Sequence, residues 1–166
     1  LGLVLRRLSV TTRVLYITAH PDDENNGLLV RLSRGQGART ALLCLTRGEG
    51  GQNAIGRELG EALAVLRPAE LDAVHRFDGV TQLFGRARDF GLSFSVEESL
   101  ETWGHEATLA DVVRVVREFR PDVLVTLPPE SPGGGQHHQA TSRLALEAFR
   151  AAAEPQRFPE QLEKGL

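Results

Sequence analysis

Three short runs of nearly unbroken apolar character, Arg13–Thr18, Arg39–Leu45 and Asp122–Leu127, are separated by stretches whose apolar residues recur every three or four positions. A strand without polar alternation has no face to give to water, so each run belongs inside a sheet covered on both sides. Between the first two, Glu24–Ser33 sets Leu28, Leu29 and Leu32 at helical spacing, with Gly35 and Gly37 as stop signals. Strand, helix and strand make a βαβ unit. Further on, Glu58–Val65 and Ala69–His75 carry helical periodicity, and Pro68 predicts a break between two pieces. Phe77–Ser95 lacks a period and predicts a loop or short irregular strands. Leu109–Phe119 aligns Leu109, Val112, Val113, Val116 and Phe119 on one helical face, Pro128–Gly135 is rich in Pro and Gly, and Gln139–Ala152 resumes helical spacing. The alternation predicts the α/β class: a three-layer, Rossmann-like fold with a mostly parallel sheet and helices on both faces.

At 166 residues the chain suits a single domain, 1–166, burying about 70% of the surface its unfolded form would expose. It has no methionine, and Arg157–Leu166 reads as the start of another segment, so both ends are taken as incomplete. With 22 acidic and 19 basic residues the formal charge is -3, which lacks the basic excess that a phosphate backbone demands and argues against a nucleic-acid partner. No apolar run approaches the roughly 20 residues needed to cross a bilayer. The single cysteine, Cys44, lies in an apolar run and has no partner for an internal disulfide. Cytoplasmic residence and export after loss of a leader are equally compatible with this composition, and self-association stays open.

The chemistry concentrates at the end of the first run, in Ala19-His20-Pro21-Asp22-Asp23-Glu24. Three successive carboxylates beside an imidazole repel one another, and a bound cation would relieve that repulsion. Open α/β sheets collect ligands at the carboxyl ends of their strands, which is where this cluster sits. A Gly-x-Gly-x-x-Gly turn is missing there, which argues against a dinucleotide. Capping the next helix would occupy one acid, with Glu24 suited to its first turn, but the sequence supplies three acids and a histidine. A second cluster, Gly133-Gly134-Gly135-Gln136-His137-His138-Gln139-Ala140, follows the third run and leads into a helix. The two clusters can meet across one sheet edge and furnish His, Asp and His, the donor set of a hydrolytic zinc with an open water position. Adjacent histidines point in different directions, so at most one of His137 and His138 is expected to be a ligand.

Both clusters resemble those of the LmbE-like (PIG-L) family of zinc-dependent N-acetylglucosaminyl N-deacetylases, whose signature Ala19–Glu24 matches in full. The similarity runs from about Arg13 to Ala148 and includes Thr46–Asn53, a stretch familiar from longer, multidomain relatives. The resemblance implies zinc held by His20, Asp23 and His138, and Asp22 as the general base. Arg67, in the family's Arg-x-x-Glu-Leu element, would hold substrate, the alternative being a surface helix arginine in a salt bridge. It implies a hydrolase that removes an acetyl group from an N-acetylglucosamine-type conjugate, a small-molecule partner. One departure stands out: the family's histidine three positions before the last ligand, credited with stabilising the oxyanion, is Gly135 here. That glycine favours the alternative of a carbohydrate-binding or regulatory module that keeps the metal pocket without turnover; His137 is another source of the missing donor. The Gly48–Asn53 loop is placed to approach a sugar or to be a plain connection, and it lacks the Lys-Ser or Lys-Thr of a phosphate cradle. Asp89 and Trp103 are candidates for the cleft border, Trp103 being better suited to the core. His75 and His105 have no acid or cysteine at ligand spacing and are given no role.

Overall fold

The computed structural model describes residues 2–128 and 135–166. The expected Pro/Gly-rich turn lies largely outside them. After a short helix α1 (Gly2–Leu8), the chain runs through β1 (Arg13–Thr18), α2 (Asn26–Val30) and β2 (Arg39–Cys44). It continues through α3 (Glu61–Asp78), β3 (Thr81–Phe84), α4 (Val96–Trp103), α5 (His105–Phe119), β4 (Val123–Thr126), α6 (Gln136–Ala151) and α7 (Pro159–Glu163). The four strands form one parallel sheet in the order β3-β2-β1-β4. The order reverses between β1 and β4, so their carboxyl ends flank the crevice where such folds bind ligands.

The unbroken apolar strands split by parity. Leu15, Ile17, Ala41 and Leu43 face a core built with Val112, Val113 and Leu144 of α5 and α6, while Tyr16, Leu42 and Cys44 face Leu29 and Leu71 on the other side. Helices therefore cover both faces, and the three-layer arrangement expected from the alternation is the one observed. Burial of Leu15, Ile17, Leu42 and Leu43, each at most 1% exposed, stabilises the fold by roughly 2 kcal/mol per side chain.

Several boundaries differ from the sequence reading. Pro68 does not divide the third helical region: α3 is one helix with Pro68 inside it, and Leu63 and Leu71 on either side are both buried. Packing against the sheet outweighs the lost backbone bond. Leu59, read as helical, is exposed before the helix begins. The aperiodic segment hides β3, an edge strand whose sequence Thr-Gln-Leu-Phe is too short and polar to stand out. α4 precedes the expected α5, and α6 starts three residues early, so His137 and His138 lie in its first turn. α2 begins at Asn26 and passes into a π-helical stretch, Arg31–Gln36, closed by Gly37 in the left-handed conformation.

Candidate metal centre

β1 ends at Thr18, and after the buried Ala19 the next residues turn out of the sheet. The cap of α2 is Asn25, whose side chain accepts from Leu28 N at 2.9 Å. Asp22 and Asp23 are thereby free of capping. Glu24 instead ties the turn, its Oε2 accepting from Asp22 N at 3.0 Å. Asp23 folds back: its Oδ2 accepts from the backbone N–H of His20 at 2.7 Å and of Ala19 at 3.1 Å. This clamp aims Oδ1 across the crevice, 3.0 Å from Nε2 of His138.

His20 completes the cluster. Its Nδ1 lies 3.2 Å from His138 Nε2, although the two residues are 118 positions apart, and 3.4 Å from Asp23 Oδ2. One donor atom from each of the three residues lies within 4.8 Å of the others, and donors about 2.1 Å from a zinc ion at a tetrahedral angle lie about 3.4 Å apart, so the group is compact enough to hold one such ion. Two imidazoles and a carboxylate also suit zinc chemically, with other divalent transition metals tolerated. Burial alone would push Asp23 upward, but hydrogen bonds from His138, His20 and the backbone hold its carboxyl well below the usual carboxylate range. The hydrogen bond to Asp23 in turn raises His138 against the cost of its own burial.

Asp22 occupies the cleft in an unusual backbone state, with φ 140°, in the region that favours glycine. Its side chain is 65% exposed and is paired with the Arg67 guanidinium. Desolvation by the cleft walls raises its carboxyl above the usual range, opposed by Arg67 and reinforced by Asp23. Arg67 reaches the site from α3 and also donates to Gly48 O at 3.2 Å. An open cleft of about 520 Å³ is lined by His20, Asp22, Asp23, Gly51, Gln52, Arg67 and His138. Every residue singled out for metal, base or substrate thus borders one cavity.

The glycine loop after β2 has a packing reason. A Cβ on Gly48, at φ 73°, would fall on the Arg67 guanidinium, 2.9 Å from Cζ; one on Gly50 would lie 2.6 Å from Asp89 Oδ1. The backbone comes close to the protein's own side chains, and Gly51 and Gln52 remain on the cleft wall.

The two histidines opening α6 diverge. His138 faces the cleft, whereas His137, 3% exposed, turns inward against Phe90 and Trp103. His137 is pushed down to about 4 by burial and by the neighbouring His20. Asp89 is buried as well and faces both His20 and His137 rather than the solvent. Asp89, a cleft-border candidate by sequence, is thus a buried partner of two histidines, a pairing that the sequence does not signal. Trp103 is core, its Nε1 donating to Arg88 O at 2.9 Å. His75 is buried against Asp78 and Gln82 away from the cleft, and His105 pairs with Glu147 on the surface. Among the described residues no helix is long and apolar enough to cross a membrane.

The family model described as PIG-L, GlcNAc-PI de-N-acetylase, matches residues 15–149. A 1D-myo-inositol 2-acetamido-2-deoxy-alpha-D-glucopyranoside deacetylase of Streptomyces griseus is 34% identical over 164 residues, covering 86% of this chain and 50% of the relative. The deacetylase of the same name from Kineococcus radiotolerans is 35% identical, covering 89% of this chain and 46% of its own. The chain therefore spans about half the length of the curated relatives it matches. Among solved structures, the N,N'-diacetylchitobiose deacetylase of Pyrococcus horikoshii superposes with a TM-score of 0.76 at 27% identity, over 93% of this chain and 55% of that one. A 4-carboxy-2-hydroxymuconate hydratase from Pseudomonas putida shares the fold, with a TM-score of 0.70 at 21% identity over 89% of this chain and 59% of its own.

Proposed function

This chain belongs to the PIG-L family, and from that premise we propose that it is a zinc-dependent N-deacetylase, cleaving the acetamide of an N-acetylglucosamine-type conjugate to acetate and a free amine. The observation that carries the reading is the approach of His20, Asp23 and His138 to within 3.4 Å of one another from opposite ends of the sequence. These three are the residues that would hold the ion. When bound, a zinc ion supplies Lewis-acid polarisation of the acyl oxygen and lowers the pKa of water to about 7.

Asp22 is the group placed to move protons. It stands in the open cleft beside the donor set, and its raised carboxyl suits it to take a proton from the attacking water and return it to the departing nitrogen. The Arg67 guanidinium fixes the Asp22 carboxylate and lines the same wall, where it and Gln52 can bind substrate hydroxyls. The amide C–N bond breaks, the carbonyl carbon gains the water oxygen, and the amine keeps the proton that Asp22 carried.

Asp22→Asn tests the assignment. The expected outcome is full zinc uptake by elemental analysis with release of acetate from N-acetylglucosaminyl glycosides reduced about 10²- to 10⁴-fold. Undiminished acetate release would remove Asp22 from the reaction, and a wild-type chain that takes up no zinc would overturn the proposal. Gly135 favours one other reading, a sugar-binding module without turnover. It would appear as zinc and sugar binding with no acetate released by the wild-type chain.

A further inference from the structure

Two donor sets share His20. While Nδ1 faces Asp23 and His138, Nε2 points into the core, 3.1 Å from Nδ1 of His137 and 3.8 Å from Oδ2 of Asp89. His137 Nδ1 is also 3.6 Å from Asp89 Oδ1. The side chains of His137 and Asp89 are each only 4% exposed, and the Phe90 and Trp103 rings lie 4.5 and 4.9 Å from the His137 ring. Neither residue lines the cleft.

A neutral imidazole presents a lone pair at one nitrogen and a proton at the other. If His20 offers Nδ1 to an ion, its proton must sit on Nε2, where only an acceptor can satisfy it. We infer that His137 is the positioning residue of the metal centre: its Nδ1 accepts the His20 Nε2–H, with the Asp89 carboxylate beside that N–H at 3.8 Å, holding His20 in the ligating tautomer and orientation, while the proton of His137 sits on its buried Nε2, which has no partner among the described residues. The inference rests on the metal reading of His20, Asp23 and His138. It also commits His137 to the rear of a ligand, away from the reacting carbonyl, so His137 does not replace the donor missing at Gly135.

The competing use of the same atoms is a second ion held by His20 Nε2, His137 and Asp89, whose separations of 3.1 to 3.8 Å resemble those of the first set. It would require His20 to lose its last proton and bridge two cations. Charge decides against it. One divalent ion is neutralised by Asp23 and Asp89 together, whereas two would leave an uncompensated positive charge beside buried side chains.

The test compares His137→Leu, which fills the space without an acceptor, with His137→Asn, whose Oδ1 can stand in for Nδ1. Zinc stoichiometry is measured by elemental analysis, affinity by competition with a chromogenic chelator, and ligand geometry by the visible spectrum of the cobalt-substituted protein. Urea unfolding of the metal-free forms identifies any variant that fails to fold. Wild type and His137→Asn should bind one equivalent with similar affinity. His137→Leu should bind one equivalent about 10- to 100-fold more weakly, with an altered cobalt spectrum. If the leucine variant does not fold, Asp89→Asn, which keeps shape and removes charge, should weaken zinc about tenfold. Wild-type affinity in the leucine variant, or in Asp89→Asn where it is the readout, overturns the inference. So do two equivalents in wild type falling to one in the leucine variant. Absence of zinc from wild type overturns the metal centre itself, and the inference with it.

Discussion

Gly135 opens α6 in an extended conformation, exposed, with no described atom within 4 Å of the place a Cβ would take. Among the described residues nothing obstructs a Cβ at this position. Gly135→His is therefore expected to supply a donor toward the cleft and raise kcat for deacetylation by about a hundredfold, with zinc affinity unchanged. Steady-state acetate release by the two proteins checks this. At the residue scale the sequence was informative where chemistry and position coincided: a histidine with three acids at a strand end has few bland explanations, and Asn25 provides the helix cap those acids might have served. Asp89 and His137 were harder to connect. Asp89 lies in a segment without a period, and its distance from His137 in the chain carries no sign that they share a pocket.

Among elements, the loop after β2 shows how a site is fitted to its own scaffold. Gly50 faces Asp89 and the backbone at Gly91, so a methyl there must displace the segment beside His20 and His137. Gly50→Ala is expected to destabilise the protein by about 1–3 kcal/mol, read as a lower urea midpoint at unchanged slope. The three apolar strands and the helices of longest period were legible because burial on both faces leaves an uninterrupted signature. β3 was not, since an edge strand with one exposed and three half-buried residues needs little apolar character. The continuity of α3 through Pro68 was hidden for a different reason: local propensity argues for a break, and only the tertiary contacts of Leu63 and Leu71 show why it does not occur.

For the molecule as a whole, the buried histidine sets an acid response. As the metal-free protein is acidified below the unfolded-state histidine value of about 6.5, the unfolded chain takes a proton at His137 before the folded one does. Stability is therefore complete above that value and falls as pH drops toward about 4, where folded His137 titrates. The full loss is on the order of 3 kcal/mol. His138, raised in the folded state, has its contribution complete below about 6.5 and loses it only as pH rises, so it does not oppose this change. Asp23, held low, matters only below its unfolded value of about 3.9. Urea unfolding at pH 6.5 and 4.5 should show most of the decline, and His137→Asn should flatten it.

The same fold carries a hydratase as well as deacetylases, so architecture alone does not name a reaction. What the sheet does provide is a sealed interior. Cys44 is fully buried between Thr18 and Gln82, and burial pushes its thiol up to about 12. This chain of 166 residues thus offers alkylating dyes no reactive sulfur, and one cysteine engineered onto the cleft wall, at Gln52 for example, would become its single attachment point for a fluorophore that reports ligand arrival in real time.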